Sequence, residues 1–238
     1  MKLYDGIISD SLSIIAAHAP KLLGAKVAAS WKLLKNNEVI LTKETAFELG
    51  GGGLKSVTFS AVTSEMPIDK DEILLIGKDL NEIRFDTPFA RLVFLKIEDI
   101  GDSEQEAYKV IKDLEYSKYD IIPEGYMVRA SAFDCREQVR VSKNAIRDGL
   151  NFEAIGNIYI DRLKQNDLVK NVKIVFITES IPEFKILTDY AKKINDITLS
   201  LNHIMADMSL DCNSCNLKQI CDEVEGLREL HFKNAKKP

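Results

Sequence analysis

Residues 172–178 read VKIVFIT, five apolar side chains around a single lysine and over no more than a strand's length. A strand this apolar at consecutive positions is one covered on both faces, so the chain must fold in layers about a sheet. The segments EVILT, SVTFSAV, EILLIG and RLVFLKIEDI precede it. They are short, β-branched or aliphatic, and bounded by Gly, Pro, Asn and Asp, which reads as strands.

At residue 102 the period changes. DSEQEAYKVIKDLEYS opens with Ser103 and Glu106 in capping-box spacing and places Ala107, Val110, Ile111 and Leu114 on one helical face. The strand-like GYMVRASAF leads into CREQVRV, and a helix is expected from about Lys143 to Gln165, with Ile146, Leu150, Ile155 and Ile158 inside. Pro182 begins a long amphipathic helix that buries Phe184, Leu187, Ala191, Ile194, Leu201 and Ile204. At the N-terminus, DGIISDSLSIIAAHA and KLLGAKVAASWKLLK read as two short helices broken at His18-Ala19-Pro20. The expected fold is α/β (α+β), a β-rich front half followed by a helix-rich back half with a C-terminal cysteine segment. Two domains are expected, 1–101 and 102–238, with the boundary near residues 99–104.

Composition narrows the partners. The chain is 45% hydrophobic and 29% charged, as in a soluble globular protein. A net charge of −5 gives no sign of a nucleic acid or an anionic membrane as partner. No apolar run is long enough to span a bilayer. Asp5 and Asp10 interrupt what would be the apolar region of a signal peptide, so a cytoplasmic location is expected.

The segment SLDCNSCNLKQICDEVEGLRELHF, residues 209–232, holds Cys212, Cys215 and Cys221 in C-x2-C-x5-C spacing. In a reducing compartment such a cluster points to metal rather than to disulfides. Four thiolates suit zinc or a cubane iron–sulfur cluster. A zinc ribbon presents two C-x2-C knuckles and only one is present. The spacing therefore favours a [4Fe-4S] cluster, with zinc as the alternative and His203 or His231 as its possible fourth ligand. The only other cysteine is Cys135, 77 positions before Cys212, and it is the candidate fourth thiolate. A buried structural cysteine is the competing reading for it.

AFELGGGGLKSVTF, EILLIGKDLNEI, REQVRVSKNAIRDGLNFEAIGNIYIDRLK and VKIVFITE succeed one another in an order that resembles acetyl-CoA synthase, the β subunit of the carbon monoxide dehydrogenase/acetyl-CoA synthase complex. That family has an E-x-GG segment, here Glu48 to Gly51, and a W-x-R-[IV]-SK-x-A-x-x-x-G pattern, here 138–149 with Gln138 in place of tryptophan. The resemblance spans roughly residues 44–221. It implies that Cys212 and Cys215 fall on the family's first C-x2-C and Cys221 on a third cluster ligand. The family's Cys-Gly-Cys, which binds nickel, has no counterpart in this sequence. The resemblance thus implies an iron–sulfur protein with an electron-transfer or accessory role in one-carbon or corrinoid metabolism, partnered by a corrinoid or carbon monoxide dehydrogenase-type protein. Two alternatives stay open: a CO-methylating acyl or methyl transferase with a metal at an open cluster position, and a zinc-stapled interaction domain.

Other motifs are less telling. Gly50 to Gly53 fit no nucleotide-loop pattern and read as a turn between strands. Arg129, Arg136, Arg140 and Lys143 gather around Cys135 in the sequence. They could meet the phosphates of coenzyme A or a redox partner's acidic face, but a solvated strand face is the preferred reading. The Glu183-Phe184-Lys185 sequence, of the E-x-K form that holds magnesium in some nucleases, directly follows Pro182 and so falls in the first turn of a helix. No serine or cysteine nucleophile has a recognisable base beside it.

Overall fold

A computed structural model of the chain describes residues 2–25, 31–36, 38–98, 104–131, 135–205 and 215–224. The elements run α1 (Asp5–Ala17), β1 (Lys21–Leu23), β2 (Thr45–Leu49), β3 (Ser56–Thr63), β4 (Glu72–Ile76), β5 (Phe89–Ile97), α2 (Glu104–Ser117), β6 (Tyr126–Ser131), β7 (Arg136–Ser142), α3 (Lys143–Arg147), α4 (Phe152–Leu163), β8 (Val169–Ile177), α5 (Phe184–Met205) and α6 (Lys218–Glu223). This is a mixed α/β fold, strand-rich in front and helical later.

The apolar run that demanded two covered faces is β8, and it lies at the centre of a five-stranded sheet ordered β1-β4-β8-β5-β3. It runs parallel to β4 and antiparallel to β5, with Ile174 opposite both Ile73 and Val93. On β5 every residue from Phe89 to Leu95 is buried, so its neighbours leave no wet face to write a polar alternation into. A second, antiparallel sheet ordered β2-β7-β6 packs through β7 against β3 and β5. Each sheet takes strands from both sides of residues 99–104.

Helix α4 covers β4 and β8, and Gly156 makes the approach possible, because a Cβ there would meet Ile73 Cδ1 at 2.7 Å. Phe152 at its start packs on Phe176 of β8 with ring centroids 4.6 Å apart, and Phe89 of β5 lies 6.3 Å from it. Helix α5 lies along β3 and carries α6. Its buried Phe184, Leu187, Ala191, Ile194 and Leu201 belong to the expected stripe, and the side chain of Ile204, also expected there, lies outside what the structure describes.

Three expectations change. KLL forms the edge strand β1 rather than a helix, with Lys21 to Leu23 paired antiparallel to Leu75 to Ile73. An open sheet edge there outweighs a local helical pattern. The helix expected over 143–165 is two helices, α3 and α4. Gly149 takes φ +97°, and Asn151 then caps α4 by accepting a 2.8 Å bond from the Ala154 amide. EVILT is not a strand: Val39 is 73% exposed and Leu41 49%, whereas Phe47 and Leu49 of the following β2 are buried against β7.

Candidate functional site

Cys135 stands immediately before β7 with φ +49°, in the left-handed region that costs an ordinary side chain about 1–2 kcal/mol. Two contacts hold it there. The Thr58 amide donates to its carbonyl at 2.8 Å, and its Sγ lies 3.4 Å from the Ala191 carbonyl on α5. The second cysteine segment reaches the same helix. Cys215 precedes α6 and Cys221 lies within it, while Glu223 meets Lys193 of α5 at 3.5 Å. Leu217 and Val224 are buried, and Cys221 is four residues beyond one and three before the other, so all three share a helical face.

Cys212 lies outside the described residues, as does His231. Among the described residues no three His, Cys, Asp or Glu side chains form a group that could hold a metal ion. His203 is described. Its Nδ1 is buried and has no hydrogen-bond partner among the described residues. It sits twelve residues after Ala191 on α5, about 18 Å along the axis at 1.5 Å per residue. Metal–ligand bonds of about 2.0–2.3 Å do not span that gap, so His203 and Cys135 are not partners on one ion.

Two residues that no sequence motif singles out lie two positions from Cys135 and across the sheet interface. Glu137 of β7 and Arg91 of β5 form an ion pair with both side chains 3% exposed. Arg91 Nε donates to the two carboxylate oxygens at 3.0 and 3.1 Å, and Nη2 donates to Oε2 as well. Tyr159 of α4 lays its ring 4.6 Å from the guanidinium carbon. Burial alone would weaken the charge on Arg91, but the Glu137 carboxylate, and to a lesser degree the tyrosines, hold its pKa above the ordinary value. Burial, with Glu137 beside them, pushes the Tyr126 and Tyr159 phenols up. Arg91 therefore stays charged and both phenols stay protonated near neutral pH. A cavity of about 270 Å³ opens beside it, lined by Cys135, Arg91, Tyr159, Asn195 and Thr198 among others.

The basic residues around Cys135 do not act as a unit. Arg140 is spent on Glu48 at 2.5 Å, Lys143 donates to the Lys43 carbonyl, and Arg129 is exposed on β6. Arg136 turns the other way and donates to the Leu54 carbonyl at 3.1 Å. The four glycines form the turn between β2 and β3. Gly50 takes φ +64°, and a Cβ there would strike Ser56 and the Glu137 carbonyl at 2.7–2.8 Å. The turn thereby brings Ser56 to the buried pair, where its hydroxyl bonds the Glu137 carbonyl and accepts from the Glu137 amide.

Two sheets locked by a sealed ion pair, with a cysteine at their junction and a second cysteine segment on the adjoining helix, define a cysteine-bearing α+β protein. The family model for the CO dehydrogenase/acetyl-CoA synthase complex beta subunit matches residues 30–181, well over half of the chain, and the chain belongs to that family. The matched stretch takes in β2 through β8 and Cys135, and ends before α5. A comparison with curated proteins gives no match.

Proposed function

We propose that the chain is an iron–sulfur member of this family, in which Cys135, Cys212, Cys215 and Cys221 hold a [4Fe-4S] cluster. Its role is electron transfer or an accessory step in one-carbon or corrinoid metabolism, beside a carbon monoxide dehydrogenase-type or corrinoid partner. What supports the reading is the C-x2-C-x5-C spacing of Cys212, Cys215 and Cys221 in a member of this family, with α5 as the element that both cysteine segments touch. The Cys135 thiol, in a backbone conformation few side chains adopt, abuts Ala191, and Glu223 of α6 meets Lys193, about 200° around α5 from it, with Cys135, Cys215 and Cys221 not gathered into one group. The donor chemistry fits, since four thiolates are the usual set for a cubane, whose chemistry is one-electron transfer.

Anaerobic purification followed by iron, sulfide, zinc and nickel analysis and a visible spectrum tests this. About four irons per chain with matching sulfide is the expected result. Zinc alone overturns it in favour of an interaction domain. Stoichiometric nickel favours the second reading, a synthase-type acyl or methyl transferase, which the family membership supports. Cys135→Ser is expected to lower iron content and alter the reduced-state EPR signal. An unchanged spectrum removes Cys135 from the ligand set.

A further inference from the structure

Where the chain enters β7, consecutive residues are fastened one after another to residues 54–58. The Cys135 carbonyl accepts from the Thr58 amide at 2.8 Å. Arg136 donates to the Leu54 carbonyl at 3.1 Å. The Glu137 amide donates to the Ser56 hydroxyl oxygen at 3.0 Å, and that hydroxyl donates in turn to the Glu137 carbonyl. Cys135 opposite Thr58 and Glu137 opposite Ser56 keep the spacing of an antiparallel ladder, in which one strand advances as the other recedes. Yet β3 and β7 belong to different sheets, and the rung at Ser56 is made by a side chain rather than by backbone.

A hydroxyl can make such a rung because it is donor and acceptor at once. It satisfies both main-chain groups of Glu137, a residue 2% exposed, so water is no ready substitute for either bond. Ser56 is itself buried, and Gly50 keeps the space beside it clear. A Cβ at Gly50 would come within 2.7 Å of the Ser56 Cβ and 2.8 Å of the Glu137 carbonyl oxygen. The ion pair with Arg91 grips the Glu137 side chain and leaves its backbone to Ser56. Two residues earlier, Cys135 holds φ +49°, a conformation that needs support from outside the residue. With its carbonyl bound to β3 and the chain pinned again at Glu137, the Cys135 Sγ is directed to α5, 3.4 Å from the Ala191 carbonyl.

We propose that Ser56 is the positioning residue for the Cys135 thiol. Its paired bonds to the Glu137 backbone keep Cys135 in its left-handed conformation and aim the thiol at α5. This deepens the reading of Cys135 as a cluster ligand and rests on it for the purpose of the seat, though not for its geometry.

The test is residue-resolved alkylation of the full-length protein, reduced and treated with a chelator. Mass spectrometry follows the reaction of iodoacetamide with Cys135 against that with Cys215 in the same chains. Ser56→Ala leaves two buried main-chain groups without partners and is expected to raise the Cys135 rate about tenfold relative to Cys215. Gly50→Ala, which crowds the hydroxyl and the Glu137 carbonyl, is expected to raise it severalfold. Ser60→Ala, on the same face of β3 and lining the cavity beside Cys135, is expected to leave it unchanged. In the unaltered chain, hydrogen exchange at the Glu137 amide is expected to be as slow as at the buried centre of β5. An unchanged Cys135 rate in Ser56→Ala overturns the proposal, as does fast exchange at Glu137. Equal acceleration at Cys135 and Cys215, or a rate that climbs steeply in dilute denaturant, overturns it by showing a general loosening of the fold. Undiminished iron in Cys135→Ser, found together with a faster Cys135 in Ser56→Ala, supports the seat and overturns the ligand assignment alone.

Discussion

Strand β7 makes the same pair, arginine with glutamate, on each of its two faces. On the inner face Glu137 grips Arg91 of β5 with both side chains 3% exposed, and the pair ties the small sheet to the large one. On the outer face, three residues on, Arg140 reaches Glu48 of β2 with the side chains 25% and 21% exposed, and ties together strands already joined by a ladder. The difference lies in what happens when a partner is removed. Water can take over for the rim arginine, whereas Arg91, 3% exposed, has little access to it. A sealed pair therefore contributes less through its own attraction than through the penalty on any packing that separates it.

That contrast is broken most directly by Glu137→Ala. Leaving Arg91 charged and alone in the interior is expected to cost about 3–5 kcal/mol. At about 2–4 °C per kcal/mol for a chain of this size, the melting temperature should fall on the order of 10 °C. Replacing both residues together, Arg91→Met with Glu137→Leu, should recover most of that loss. A loss below about 1 kcal/mol for the single change, read by denaturant unfolding, would place the sealed pair in the same class as the rim pair.

The two faces also explain how much of this was legible in the sequence. In REQVRVS, Val139 and Val141 mark the inner face by alternation, and Glu137 is in phase with them. A carboxylate on the apolar phase of a strand is a sign of a buried partner. Its counterpart, Arg91, heads the apolar run RLVFL and carries the same sign. Strands β5 and β8 and helices α2 and α5 were readable because burial on both faces, or on one helical stripe, leaves a periodic trace. Strand β1 was not, because three residues at a sheet edge carry no period and only the exposed backbone of β4 selects them. Cys135 could be named only as a candidate ligand, by elimination. Its left-handed backbone could not, since φ there is set by contacts with Thr58 and Ala191, distant in sequence.

The outer pair offers a smaller effect. A double-mutant cycle with Arg140→Ala and Glu48→Ala is expected to return a coupling of about 0.2–1 kcal/mol that shrinks as salt is added. A salt-independent coupling above that range would mean the rim is effectively closed to water. Lys143 would then need the same reconsideration, since it too bonds the β2 side of the sheet through the Lys43 carbonyl.

The smallest effect comes from an intermediate case on the large sheet. Glu72 of β4 meets Lys173 of β8 at 2.9 Å and Lys70 at 3.1 Å, with its side chain 16% exposed. Partial burial would raise its pKa, but the bonds to Lys173 and Lys70 outweigh this and hold the carboxyl below its ordinary value of 4.5. A carboxyl lower in the folded than in the unfolded chain binds fewer protons when folded. Its stabilisation is therefore complete above the unfolded pKa and is lost as pH falls through the folded one. Glu72→Gln should accordingly lower stability at neutral pH and flatten the acid limb of the stability curve below about pH 4.5, with the two curves converging at the acid end. A constant offset between variant and parent across that range would show that Glu72 contributes by packing, and would leave the sealed Arg91–Glu137 pair as the tested case of charge holding these strands in place.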